Sequence, residues 1–285
     1  MKRILITGAN SYIGDSVRDY LLDHSDHFSV DVMDTVGYEP DRNDFTGYDV
    51  VLNAAGIAHR KESRSDRELY YRINRDLTLR IAESAKAGGA GQFILLSSMS
   101  VYGMSSGHIT RNTKENPLSA YGESKLQADE AVRRLAEESF KVVCLRPPMV
   151  YGKGCRGNYQ KLRSFALKAP FIPAYNNQRS MIYIGNLCEF IKTCIDDERN
   201  GLFLPQNSEY VTTGEMIRQI AIQHGRKVTM TRALNPFITI AQRGHVETVE
   251  KAFGSLTYEK TEPVGTFGFE RSIELTETLS QADEG

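Results

Sequence analysis

The chain has 285 residues, 40% hydrophobic and 25% charged, with a formal net charge of −1. This is the composition of one large folded domain, or a core domain with a smaller second one, and not of a disordered chain. The near-neutral balance supplies no pull toward nucleic acid or a membrane surface. The four cysteines (Cys144, Cys155, Cys188, Cys194) form no C-x-x-C pair, and the six histidines stand at no metal-ligand spacing. No apolar run approaches the roughly 20 residues of a membrane span. The expectation is a cytoplasmic protein with reduced thiols, no metal and no membrane insertion.

Residues 2–7 (Lys-Arg-Ile-Leu-Ile-Thr) read as an apolar strand, far too short for a signal-peptide core. The strand runs into Gly8-Ala9-Asn10-Ser11-Tyr12-Ile13-Gly14 and a helix to about Asp23. Glycines in such a loop let the backbone approach a pyrophosphate, and the helix N-terminus adds free N–H groups and a partial positive charge. Gly8, Asn10, Ser11, Tyr12, Ile13 and Gly14 are therefore the candidate phosphate-binding residues. The next strand, residues 28–33, ends at Asp34, 20 residues after Gly14. A carboxylate there accepts hydrogen bonds from an adenosine ribose and repels a 2′-phosphate, which predicts NAD rather than NADP.

A third strand over 49–52 leads into Asn53-Ala54-Ala55-Gly56, small residues where a backbone passes close to another group. Ala54, Ala55 and Gly56 join the cofactor candidates. A helix over 66–87 carries Asn74 and stops at Gly88-Gly89. The apolar run Phe93-Ile94-Leu95-Leu96 ends in Ser97-Ser98-Met99-Ser100-Val101-Tyr102-Gly103, and a polar loop follows. Then Ser119-Ala120-Tyr121-Gly122-Glu123-Ser124-Lys125 opens a helix to about Glu138. Tyr121 and Lys125, four apart, share one helix face. An ammonium beside a phenol favours the phenolate and lowers its pKa. A serine from the neighbouring strand end can bond the phenol and a substrate oxygen together, which makes the tyrosine an acid/base near neutral pH. Tyr-x-x-x-Lys is a short motif that surface residues also match; the serine-tipped strand and the opening glycine loop give it meaning here.

A fifth strand over 141–146 ends in Pro147-Pro148. Apolar strands alternating with helices predict a parallel sheet covered on both faces. After Tyr151-Gly152 the rhythm changes. Gly154, Gly157, Pro170 and Pro173 mark loops around a helix near 159–168. A strand over 179–184 and a helix over 185–196 follow, then short strands near 201–204 and 228–230 and helices near 213–224 and 268–278. The expected fold is α/β: a Rossmann-type doubly wound parallel sheet over 1–152, with 179–204 returning to it, and a smaller mixed α/β C-terminal substrate domain over 153–285.

Taken together, several segments resemble the extended short-chain dehydrogenase/reductases, specifically the NAD-dependent epimerase/dehydratase group, over residues 2 to about 205. They are Thr7-Gly8 through Gly14, Asp34, Asn53-Ala54-Ala55-Gly56, Asn74, Ser97 to Gly103, Tyr121 to Lys125, Leu145-Arg146-Pro147-Pro148-Met149-Val150-Tyr151-Gly152, and Arg179 before Tyr183-Ile184-Gly185-Asn186-Leu187. The resemblance implies that Ser98 is the catalytic serine, Tyr121 the acid/base and Lys125 its helper, which also holds the nicotinamide ribose. It implies that Asn74 and Pro148 line the cofactor. It further implies that Arg179 meets a sugar-nucleotide diphosphate, with Asn158 and Gln178 on the substrate side, and that the protein is a homodimer through the Tyr121 helix and its neighbour. The implied substrate is a nucleotide sugar of the UDP-hexose type, and the implied reaction is 4-epimerisation through a transient 4-ketosugar.

Four positions depart from patterns found in the family. Ser11 stands where the family has its middle glycine, and its side chain either crowds a pyrophosphate or bonds it. Met149 replaces an asparagine of the nucleotide contacts. Met99 and Ser100 stand where the family's dehydratases carry an Asp-Glu pair. Methionine cannot transfer a proton, so epimerisation is expected over 4,6-dehydration. A 4-ketosugar reductase or dehydrogenase fits the same residues. A non-catalytic nucleotide-binding relative is the other alternative, and the presence of Ser98, Tyr121 and Lys125 together weighs against it.

Overall fold

The computed structural model describes residues 1–23, 26–58, 63–244, 246–261 and 264–281. Contacts divide the chain into two units. The first comprises Met1–Gly103, Lys114–Pro147 and Cys188–Pro205; the second comprises Met104–Thr113, Pro148–Leu187 and the chain from Gln206 onward.

The first unit is built on β1 (Lys2–Thr7), β2 (Phe28–Met33), β3 (Val50–Asn53), β4 (Gln92–Leu96), β5 (Lys141–Leu145) and β6 (Gly201–Phe203). Every pairing is parallel, in the order β6-β5-β4-β3-β1-β2. This is the Rossmann-type doubly wound sheet. All residues of β3 and β4 are buried, which is why they read as unbroken apolar runs. Phe45, Val51, Ile81, Ala82, Phe93, Leu95, Val132 and Val142 form the core on one face. Fully burying each of the larger ones contributes about 1.5–3 kcal/mol.

The strand order reverses between β1 and β3. Loops leaving the carboxyl ends of these two strands run in opposite directions, and an open doubly wound sheet binds its ligand in the crevice between them. Among the described residues β2 is the sheet edge. The short segment after it forms a 3-10 turn, Arg42–Phe45, closed by a capping box between Asp41 and Asp44, and it sends Phe45 into the core.

The helix expected over 66–87 is three segments. An α-helix, Arg64–Tyr70, is capped by Ser63; a π-helical turn, Tyr71–Leu77, follows; an α-helix, Thr78–Ala87, completes it. The helix Ala120–Arg133 stops short of the expected Glu138 because Glu137 and Phe140 pair in a tight antiparallel turn before β5, with Phe140 buried.

In the second unit three pairs of short parallel strands stand among helices. Met149–Tyr151 pairs with Met181–Tyr183, Phe171–Pro173 with Thr229–Thr231, and Gly107–Ile109 with Leu256–Tyr258. The helices Asn158–Ala166, Thr213–Gln223 and Phe269–Gln281 lie where expected, whereas Asn235–Arg243 and Glu247–Phe253 are additional. No helix among the described residues is long and apolar enough to cross a membrane.

Candidate active site

At the strand reversal the loops after β1 and β3 meet through bare backbone. Gly8 has φ +94°, and a Cβ on it would lie 2.5 Å from the Ala55 nitrogen, so no other residue fits without parting the loops. The Gly8 N–H donates to Met33 O at 2.9 Å and Ala54 N–H to Thr7 O at 3.0 Å, tying three strand ends together. Behind them the Thr7 hydroxyl donates to Asn53 Oδ1 at 2.7 Å, and Asn53 Nδ2 to Thr78 Oγ1 at 3.0 Å, all buried.

Asn10 sits in the left-handed region at φ +61°. The Ser11 hydroxyl caps the helix Tyr12–Leu22 by accepting from Gly14 N–H at 3.4 Å. Tyr12 and Ile13 are half-buried in the first turn, and Gly14 is buried against Ala54 and Ile6. Asp34 directly follows β2; its carboxylate is exposed and accepts from Val36 N–H at 3.0 Å. A glycine cradle that a Cβ would fill, an eleven-residue helix starting at it and an exposed carboxylate at the next strand end fit a dinucleotide.

Asn74 lies in the π turn and is fully buried. Its side chain accepts from Ile57 N–H at 2.8 Å, and it donates to Ile57 O at 3.1 Å and to Ser124 Oγ at 3.2 Å. One amide thus pins the loop after β3 to the Tyr121 helix. A Cβ on Gly56 would lie 3.1 Å from both Asn74 Oδ1 and Lys125 Nζ, so these groups converge on the bare backbone there.

Lys125 is buried, and its Nζ donates to Leu96 O at the end of β4 at 2.9 Å. Burial brings its pKa down to about 8. Ser98 caps the 3-10 turn Met99–Tyr102, accepting from Ser100 N–H at 3.1 Å and donating to Ser100 Oγ at 3.2 Å, and its hydroxyl faces the Tyr121 phenol closely enough to lower its pKa. Gly122 permits this approach: a Cβ on it would lie 2.6 Å from Ser100 O. Tyr121 packs edge-on against the buried Tyr70, ring centroids 5.8 Å apart. Burial raises the phenol pKa, and the Ser98 hydroxyl only partly offsets this. The expectation that Lys125 lowers the phenol is therefore corrected. The ammonium is bound to the Leu96 carbonyl, and desolvation dominates both groups, raising the tyrosine and lowering the lysine.

The lysine has a measurable consequence. Between pH 8 and 10.5 the unfolded chain holds a proton on Lys125 that the folded chain has lost, so raising pH through this window favours folding. Buried thiols such as Cys144 and Cys188, and Tyr121, are raised by burial and pull the other way, so the effect is read as a difference. Urea unfolding at stepped pH should show wild type gaining on Lys125→Met by up to about 3 kcal/mol from pH 8 to 10.5. A pH-independent difference would mean that the ammonium is not desolvated.

A group that the sequence reading did not single out supports the serine turn. Arg146, with no exposed surface, closes β5. Its Nε donates to Asp129 Oδ2 at 2.8 Å, and its Nη1 donates to Glu115 Oε1 at 2.7 Å and to Tyr102 OH at 2.9 Å. Tyr102 ends the turn that begins at Ser98. The available signal was an arginine at the end of an otherwise apolar strand.

In the second unit, Arg179 is half-buried, donates from Nη1 to Gly254 O at 2.9 Å, and has its pKa lowered by burial. Gln178 beside it is exposed, its N–H bonded to Ser255 Oγ. Gly254 and Ser255 line a cavity of about 350 Å³ with Tyr175, Gln242, Glu250 and Phe253. Asn158 is the exposed first residue of its helix, and Pro148 precedes the strand Met149–Tyr151.

The profile of the NAD dependent epimerase/dehydratase family matches residues 4–202. The UDP-glucose 4-epimerase of Vibrio cholerae is 31% identical over 249 residues, 78% of this chain and 75% of that one. The N-acetyl-alpha-D-glucosaminyl-diphospho-ditrans,octacis-undecaprenol 4-epimerase of Escherichia coli O157:H7 is 29% identical over 207 residues, 66% of this chain and 62% of that one, so less than two thirds of that relative is spanned. Among solved structures, the UDP-glucuronic acid 4-epimerase from Bacillus cereus in complex with NAD has a TM-score of 0.77 at 19% identity, covering 99% of this chain and 100% of that one. A dTDP-4-dehydrorhamnose reductase from Clostridium acetobutylicum has a TM-score of 0.71 at 19% identity, covering 98% and 99%. At these identities the two structures share the fold.

Proposed function

We propose, for a chain that belongs to the NAD dependent epimerase/dehydratase family, that it inverts C4 of a UDP-hexose-type nucleotide sugar through a transient 4-ketosugar. The observation that carries this reading is Tyr121 on a helix that packs on the serine turn and carries the buried Lys125 one turn on, bonded to the end of the central strand. Bound NAD would supply a reversible hydride acceptor for the sugar carbon. Gly8 to Gly14, Ala54, Ala55, Gly56 and Asn74 hold the cofactor, and Asp34 takes its adenosine ribose. Tyr121 accepts the 4-hydroxyl proton and gives it back. Ser98 holds the phenol and the sugar oxygen in line, and Lys125 steadies the nicotinamide ribose. Arg179, with Asn158, meets the diphosphate of the substrate. Met99 and Ser100 supply no acid/base pair for loss of the C6 hydroxyl, which favours epimerisation over dehydration.

Four buried free cysteines suit a reducing, cytoplasmic compartment. A homodimer through the Ala120–Arg133 helix belongs to the same reading, and light scattering reads it directly. The reaction is tested by incubating the purified chain with UDP-glucose, UDP-galactose and their N-acetyl forms and following products by NMR. The expected result is interconversion at C4 with no net consumption of cofactor. A 4-keto-6-deoxy product, or consumption of added NADH or NADPH in step with a ketosugar, would replace the reading with a dehydratase or a reductase.

A further inference from the structure

From Met216 to Val246 the chain carries five cations, Arg218, Arg226, Lys227, Arg232 and Arg243, and no aspartate or glutamate. Over the whole chain acids outnumber lysine and arginine by 36 to 35, so this asymmetry is local and invisible in the net charge. Two of the five are engaged within the second unit: Arg218 pairs with Glu215, and Arg226 donates to the carbonyls of Ala166 and Ala169. Lys227, Arg232 and Arg243 are exposed and form no ion pair among the described residues.

Between Arg232 and Arg243 runs the helix Asn235–Arg243. One side is satisfied by its own unit. Ile238 is buried, Asn235 Nδ2 donates to Ala174 O at 3.0 Å, and Gln242 accepts from the Tyr175 hydroxyl at 2.5 Å. The other side is not. Phe237 and Ile240, three apart and so on one face, are 69% and 66% exposed, and Val246 just beyond the helix is 43% exposed. A helix with large apolar side chains on its outer face, flanked by arginines and free of acids, has the chemistry of the lipid interface. The rings enter the acyl boundary while the guanidinium groups stay among the phosphates.

We propose that the face of the helix Asn235–Arg243 bearing Phe237 and Ile240, with Arg232 just before the helix and Arg243 at its end, docks on an anionic phospholipid surface. The assignment goes beyond the reaction proposed above and does not depend on it. A second copy is a poorer occupant, since the helix Asn235–Arg243 carries an arginine and no carboxylate of its own to meet it across a two-fold axis. Nucleic acid would use the cations but leave Phe237 and Ile240 in water.

The test is co-sedimentation of the full chain with vesicles of phosphatidylglycerol and phosphatidylethanolamine, against vesicles of phosphatidylcholine alone. Binding is expected to the anionic vesicles only, and to fall with added salt. Phe237→Ser with Ile240→Ser should lower the partition by about tenfold or more, and Arg232→Gln with Arg243→Gln should lower it on anionic vesicles. Circular dichroism and NAD binding should be unchanged in both variants. No binding to anionic vesicles, or binding indifferent to both pairs of substitutions, overturns the proposal. So does a dimer that the serine variant converts to monomer, or capture of RNA with no capture of vesicles.

Discussion

Tyr121→Phe should lower turnover by about three orders of magnitude while leaving the unfolding midpoint and NAD affinity at wild-type values. The substitution removes one oxygen. The ring keeps its edge-on contact with Tyr70, and the helix Ala120–Arg133 keeps its Ser119 cap, which accepts from Gly122 N–H at 3.1 Å. Only the acid/base function is lost; the Ser98 hydroxyl keeps its bonds to Ser100 N–H and Ser100 Oγ. The measurement is NMR-followed turnover, with a urea curve and an NAD titration on the same preparation. Near-normal turnover would remove Tyr121 from the proton path. Loss of NAD binding alongside activity would make the residue a structural one.

Arg146→Met should destabilise the chain by about 3–5 kcal/mol, the range for breaking a buried ion pair from one side. Asp129 is fully buried and uses both oxygens, one on Arg146 and the other on Arg133 at 2.7 Å. Without Arg146 a buried carboxylate keeps a single partner, whose own side chain is partly exposed. Tyr102 and Glu115 lose their donor as well. Methionine fills much of the volume, so the loss is electrostatic rather than a cavity. Replacing both Arg146 and Asp129 with Met and Leu should recover a large part of the deficit, because the fully buried carboxylate goes with its partner and the charges left behind, Glu115 and Arg133, are partly exposed to water. Urea unfolding of the single and double variants checks this. A single-variant cost below about 1 kcal/mol would mean that the network contributes geometry and little stability.

Much of the first unit was legible because its sheet is buried on both faces. Phe93 to Leu96 and Val142 to Leu145 are unbroken apolar runs for that reason, and Gly8 is a glycine because Ala55 leaves no room for a Cβ. The Tyr121–Lys125 spacing was legible because a helix face is a local property. What the lysine touches was not, since its partner is the backbone carbonyl of Leu96. The strand Gly107–Ile109 escaped notice because three residues carry too little periodicity and its partner Leu256–Tyr258 lies far along the chain. The helix Asn235–Arg243 begins Asn-Pro, which reads as a turn although proline is well suited to a first helical turn. After β2 no further strand forms among the described residues, and a 3-10 turn too short to show a period occupies the segment.

The π turn at Tyr71–Leu77 makes this region sensitive to chain length as well as to residue identity. A π turn is in effect a helix with one residue added, and its wider turn absorbs that residue so that the two flanking helices stay in phase. With it, Tyr70 reaches Tyr121, Asn74 reaches Ile57 and Ser124, and Ile81, Ala82 and Ala85 reach the core. Deleting any single residue between Tyr71 and Leu77 would let the helix relax to ordinary α geometry. The flanking helices would keep their phase, since the wide turn is what absorbs the added residue, but the backbone around Asn74 would be redrawn and its clamp on Ile57 and Ser124 lost. Among relatives descended from a common ancestor, substitutions should therefore accumulate along this helix far more readily than changes in its length.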